Sequence, residues 1–227
     1  MKLSSNTISV LKNFGSINEG IYFKKGKTLK TVSKLKNVLA EATIAEDIPT
    51  DFGVSDINNF LSVISLSKDD TTFKFEGKNI VIVSNKGRSQ TKYRFCEPTA
   101  IIIPPEKSIS MPDPEISFEF SADDFSWTLR NASVLSSPNV VVESDGKKVS
   151  VVCTDLQNDA AHTNSLEIGD GNGNKYRMIF KTEHIDKIMP GAYTVQISSK
   201  GIGMFTNKDH PLKYWISTEA GSKFEKN

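Results

Sequence analysis

Cysteine is scarce: Cys96 and Cys153 stand alone in 227 residues, with no CxxC pair between them. That excludes a structural zinc site of the usual four-ligand kind and leaves two reduced, buried thiols as the expectation. Histidine is scarcer than its catalytic uses require. His162, His184 and His210 are scattered, no serine sits in a nucleophile elbow, and neither a P-loop nor a metal-ligand pair occurs. No enzyme is expected, and so no catalytic residue, metal or cofactor. No apolar run approaches the roughly 20 residues of a membrane-spanning helix. Residues 1–4, "MKLS", lack the apolar core of a signal peptide. A cytoplasmic protein without a membrane partner is therefore expected. The net charge of +1 removes the bulk signature of a nucleic-acid binder. What is present, 37% hydrophobic and 24% charged residues, suits a folded chain of one large or two ordinary domains.

The most conspicuous string is "GDGNGNK" at 169–175. A calcium loop starting at Asp170 needs a glycine at its sixth position and a glutamate at its twelfth, and those places hold Lys175 and Lys181. A dinucleotide fingerprint needs a third glycine where Asn174 stands. Flanked by "SLEI" and "YRMIF", the string reads as the connection of a β-hairpin.

Four segments have helical periodicity. Residues 5–14 carry Ile8, Leu11 and Phe14 with Thr7 and Val10 on one face, and Ser5, Ser9 and Lys12 on the other. Residues 56–66 point Ile57, Phe60, Leu61 and Ile64 inward, and Asn58, Ser62 and Ser65 outward. A third helix starts at Ser121 with Asp124 three residues on, a capping-box pattern. It sets Phe125, Leu129 and Ala132 against Ser126, Arg130 and Ser133. A short fourth, 182–189, is stopped by Pro190-Gly191 and points His184 and Lys187 outward. Nearly all else reads as strand, with turns at Gly-Lys and Asp-Gly, and Asp69-Asp70 reads as a turn. The order helix, strands, helix, strands occurs twice, about half the chain apart, which suggests an internal duplication. Five of the nine prolines lie in "CEPTAIIIPPEKSISMPDPE", a semi-rigid connector over about 97–114 between domains 1–104 and 105–227.

Charge is distributed unevenly. Between Glu19 and Glu41 no acid occurs, yet Lys24, Lys25, Lys27, Lys30, Lys34 and Lys36 fall there. They form either the solvated outer face of a hairpin or a patch meeting phosphate or an acidic partner. The outward helix faces are small, polar and nearly free of acid, the fourth helix with Glu183 and Asp186 fitting least. Such faces tolerate a nearby polyanion without gripping it.

Several stretches carry a family resemblance. "MKLSSNTISVLKNFGSINEGI" over 1–21 resembles the amino terminus of the DNA polymerase sliding clamp of T-even-type bacteriophages. "DINNFLSVISLSKDD" at 56–70 is similar to that family's second helix and the turn after it. "LAEATI" at 39–44, "GKNIVIV" at 77–83 and "KIMPGAYTVQIS" at 187–198 look like family segments in the same order. The resemblance implies an α+β fold of two similar clamp domains, antiparallel sheets outside and two helices per domain lining a ring. It implies a homotrimer that encircles double-stranded DNA without reading its sequence and tethers the replicative DNA polymerase at high effective concentration. A separate clamp-loader ATPase would open the ring, late-transcription factors are further partners, and the cytoplasm of an infected bacterium is the location.

Lys12 and Arg130 match basic positions on the family's lining helices; Lys2, Lys181 and Lys187 are read from the sequence as candidates for the same surface. Ser5 and Ser133 depart from it, standing where the family carries basic residues. Clamps seat partner peptides beside the connector, where Ile101, Ile102 and Ile103 are the apolar residues; three consecutive isoleucines equally suit a buried strand. The alternative to a clamp is a non-enzymatic, β-rich structural or assembly protein of a phage.

Overall fold

The computed structural model describes residues 1–66, 71–107 and 109–226, so the Asp69-Asp70 turn lies outside the described residues. The chain divides into two compact units, Met1–Glu106 and Lys107–Asn227.

The first unit opens with helix α1 (Ser5–Ile17) and continues through strands β1 (Ile21–Phe23), β2 (Gly26–Val32), β3 (Val38–Ile48) and β4 (Phe52–Val54). Helix α2 (Ile57–Ser65) and strands β5 (Thr72–Glu76), β6 (Asn79–Ser84) and β7 (Ser89–Arg94) complete it. The second unit runs β8 (Ile116–Phe120), α3 (Ala122–Val134), β9 (Asn139–Asp145), β10 (Lys148–Thr154), β11 (Asn164–Asp170) and β12 (Lys175–Lys181). It ends with α4 (Thr182–Ile185), β13 (Tyr193–Ser198), β14 (Ile202–Asn207), β15 (Leu212–Ser217) and β16 (Lys223–Glu225).

The pairing scheme repeats. After each leading helix the first and fourth strands pair, β1 with β4 and β9 with β12, and the second pairs with the third, β2 with β3 and β10 with β11. After each second helix come three strands in sequence order, β5-β6-β7 and β13-β14-β15. The segment before the leading helix also pairs alike. β8 lies beside β13. Met1 meets β5 in the same manner, the Phe73 N–H donating to the Met1 carbonyl at 2.7 Å and the terminal ammonium donating to the Phe73 carbonyl at 3.1 Å.

Each unit folds its helices onto a sheet through aromatic rings. Phe23 stacks on Phe52 with centroids 4.3 Å apart, Phe52 on Phe95 at 5.0 Å, and Phe60 meets Tyr93 edge-on at 5.1 Å. In the second unit Phe125 of α3 meets Phe120 at 5.7 Å and Tyr193 at 5.4 Å. The helical periodicity explains the attachment. α1 buries Thr7, Val10, Leu11, Phe14 and Ile17, and α2 buries Ile57, Phe60, Leu61 and Ile64. These stripes agree with the sequence, and Ile8, at the margin of the first, is half-buried.

The "GDGNGNK" string is not a hairpin. The sheet order β11-β10-β9-β12-β16 puts β11 and β12 on opposite sides of the β9–β10 pair, so the string bridges two strands that never touch. It does so by crossing the tip of the β9–β10 hairpin, where the Gly171 N–H donates to the Lys147 carbonyl and the Gly173 N–H to the Gly146 carbonyl at 3.0 Å. A Cβ on Gly171 would stand 2.6 Å from the Gly146 oxygen, closer than side chains tolerate. The glycines are there so that one loop can lie on another. Asp170 is spoken for by Lys148 at 2.9 Å, and among the described residues no group of three acidic, histidine or cysteine side chains is placed to hold a metal ion.

Of the thiols, Cys153 is buried, its pKa pushed up to about 11 by desolvation; Cys96 is only half-buried, against the expectation of two buried thiols.

Candidate nucleic-acid interface

Helix α1 turns Ser5, Ser9, Lys12 and Ser16 to solvent, a stripe at helical spacing with one cation and no anion. Such a helix lacks the acid that usually complements the positive end of its macrodipole. Glu46 of β3 supplies it. Its carboxylate accepts the Ser4 backbone N–H and, at 2.5 Å, the Thr7 hydroxyl, while the Ser4 hydroxyl accepts the Thr7 N–H at 3.2 Å. This is the work of a capping-box acid, performed from a strand 42 residues away. Burial disfavours the charge on Glu46, but the bonds from Thr7 and Ser4 outweigh it and hold its pKa below the ordinary glutamate value. No local pattern in the sequence marks Glu46 for this role.

Helix α2 exposes Asn58, Asn59, Ser62, Ser65 and Leu66, again without charge. Helix α3 is capped by its own residues: Ser121 accepts the Asp124 N–H at 3.0 Å, and its hydroxyl donates to the Asp124 carboxylate at 2.6 Å. Its outward residues include Asp123, Trp127, Arg130, Ser133 and Val134, so the outer face is not uniformly small and polar. Thr128 takes the buried place between Phe125 and Ala132, with Leu129 half-buried. Arg130 donates its Nε–H to the Ser126 carbonyl at 3.3 Å.

Helix α4 departs most from the sequence reading. It is a single turn, too short to have two faces, and His184 is buried rather than outward. Desolvation lowers the His184 pKa and so disfavours a positive charge on the ring. The exposed residues there are Glu183 and Asp186. Lys181, at the helix start, lies 3.9 Å from Glu183, and Lys187 is half-buried, whereas Lys2 is exposed.

The six lysines of 24–36 do not form one patch. Lys24, Lys25 and Lys27 cluster at the start of β2, and Lys34 and Lys36 lie in the turn after it, roughly 20 Å away at the rise of a strand. Lys24 is paired with Asp51 at 3.4 Å and Glu106 at 3.3 Å, and Lys30 with Glu41 at 3.0 Å. Alternating strand geometry and nearby carboxylates separate what the sequence runs together. The three isoleucines of the connector form no strand. They follow a 3-10 turn at Pro98–Ala100; Ile101 packs where a Cβ on Gly53 would stand 3.0 Å away, and the Ile102 carbonyl accepts the Asn18 amide at 3.0 Å. Ile103 is exposed.

Two units that repeat one pairing scheme, each led by a thirteen-residue helix, invite comparison with known proteins. The sliding clamp of Enterobacteria phage T4 is 31% identical to the chain over 228 residues, covering 98% of each; that of Escherichia phage RB69 is 30% identical, also covering 98% of each. The chain belongs to the sliding-clamp family. A family model described as DNA polymerase processivity factor matches residues 2–103. The sliding clamp of Vibrio phage KVP40 is 29% identical, covering 97% of this chain and all of its own. Among solved structures, PCNA from Thermococcus kodakaraensis superposes with a TM-score of 0.67 at 11% identity, covering 94% of this chain and 96% of that one. The fold is that of a two-domain clamp, and the protein is a processivity factor rather than a shell or assembly subunit. No helix among the described residues is long and apolar enough to cross a membrane.

Proposed function

We propose that three copies of the chain close head to tail into a ring around duplex DNA and hold the replicative polymerase to it, without catalysis of their own. The observation that carries this reading is a pair of sheet-edge strands, β7 in the first unit and β11 in the second. Among the described residues β7 pairs with β6 alone, and β11 with β10 alone. Edges of this length, left bare, are templates for pairing with another chain. β7 carries Lys92 and Arg94 with Arg88 just before it; β11 carries Glu167 and Asp170, which share the one cation of Lys148 and leave that edge net negative. Opposite charge on the two edges favours a heterologous contact, which closes into a ring when the rotation closes.

The α1 and α2 faces support the rest. A lining with sparse cations and no anion lets the sugar-phosphate backbone pass without the salt-sensitive grip of a dense basic surface. Lys12 and Arg130 are the basic contacts proposed for that lining, with Lys2 as a flanking charge and with Lys181 and Lys187 as flanking charges weakened by the acids around α4. On the same reading a separate ATPase opens the ring, partner peptides of the polymerase and of late-transcription proteins seat beside Ile101–Ile103, and the host cytoplasm is the site of action.

Sedimentation equilibrium over a range of concentration tests the assembly. Three chains of 25.1 kDa, about 75 kDa, are expected, falling toward the monomer on dilution if the ring opens readily. A strict monomer at every concentration would remove encirclement.

A further inference from the structure

Trp127 is 47% exposed on α3, and Val134 is 82% exposed on the same helix. Arg130 lies exposed between them at the i, i+3, i+7 spacing of one helical stripe. Half of an indole left in water is on the order of 100 Å² of mostly apolar surface, which a merely solvated helix face does not need. Among the described residues no ring pair involves Trp127. The other tryptophan, Trp215, is 5% exposed. From Trp127 to the end of the helix and its cap, residues 127–137, the chain carries one cation and no anion. Asp123, exposed in the first turn, marks where that surface ends.

We propose that Trp127 is a duplex-contacting residue: its indole lies along the sugar-phosphate backbone, donating Nε1–H to a phosphate oxygen, beside the ion pair made by Arg130. This rests on the reading of the helices as DNA-facing. Indole has a donor, no acceptor and a broad apolar face, which complements a surface of deoxyribose carbons and phosphate acceptors. The arginine supplies the charge match, through the four N–H donors that remain beside the one given to Ser126. The contact also fills a gap in the lining. Sparse ionic contacts at Lys12 and Arg130 give little affinity and lose part of it with salt, whereas an apolar and hydrogen-bonded one does not release counterions. Ser133, one turn further on, carries no charge to help.

The test uses the two tryptophans. Acrylamide quenching is measured on the whole protein with and without a short blunt-ended duplex onto which a ring can thread, and the Trp127→Phe variant reports Trp215 alone. The expected result is a several-fold drop in the quenching constant of Trp127 on DNA. Trp127→Ala should weaken binding several-fold at every salt concentration with the slope of log K against log salt unchanged, whereas Arg130→Gln makes that slope shallower. If salt-dependent binding is intact and Trp127 stays as open to acrylamide on DNA as off it, the proposal fails and the clamp reading stands. If Trp127 becomes protected as protein concentration rises without DNA, a second copy covers the face and the proposal is overturned. Absence of any duplex binding would overturn both.

Discussion

Helices α1 and α3 open the two units at equivalent places, have thirteen residues each, and bury a phenylalanine, Phe14 or Phe125. Both begin at a serine cap. They differ in where the carboxylate at the N-terminus comes from. α3 carries Asp124 in its own capping box, with exposed Asp123 beside it. α1 has no acid and borrows Glu46 from β3. The attraction of that carboxylate to the helix dipole is worth about 0.3–1 kcal/mol wherever it originates, apart from the hydrogen bonds it accepts. Its origin decides what the outer face looks like: a local acid brings charge to the surface, and a borrowed one leaves the surface free of it. α1 is consequently the cleaner candidate for passing a polyanion, and α3 compensates with Trp127 and Arg130.

Removing the shared anchor is the severest way to test that equivalence. Phe14→Ala and Phe125→Ala are each expected to cost about 3–5 kcal/mol, measured by urea unfolding. A difference of several kcal/mol between them would show that the helices are not equivalent. The capping acids come next. Glu46→Gln should cost about 1–3 kcal/mol, because the Ser4 N–H and Thr7 hydroxyl lose a charged acceptor, against about 1 kcal/mol or less for Asp124→Asn. The Glu46 term has a definite pH dependence. Its folded pKa is depressed, so its contribution is fully present above the ordinary glutamate value and disappears as pH falls through the folded one. Unfolding curves of wild type and Glu46→Gln should therefore converge in acid, and a constant gap would remove the capping role.

Charge changes on the outer faces are milder. Lys12→Gln and Arg130→Gln should each reduce the salt slope of duplex binding by about 0.9 for every copy in the ring whose cation meets a phosphate, read by fluorescence anisotropy. A loss on only one helix would assign the contact to one unit. Smallest in stability are Ser5→Lys and Ser133→Lys, within about 0.5 kcal/mol of wild type as exposed substitutions. Each adds a cation to an outer helix face and should steepen the same slope.

What the sequence determined by itself is everything set within a few residues. The apolar stripes of α1 and α2 follow from helical spacing, the start of α3 from Ser121 and Asp124, and the β9–β10 turn from Asp145-Gly146. Asp145 accepts the N–H groups of Lys147 and Lys148 at 2.8 and 3.1 Å, a bond the turn makes with itself. Lys12 and Arg130 are exposed as their spacing requires. Only the tertiary structure decided what depends on a distant partner. Glu46 acts as a cap because β3 brings it to Ser4. Gly171 must be glycine because β11 and β12 flank a hairpin they do not form. His184 is buried because α4 is one turn packed against α3, β9 and β12, and the six lysines separate because β2 spans the distance between them. Periodicity tells which face of an element is apolar; which element meets that face is decided by strand order, and strand order is a non-local choice that no window of sequence contains.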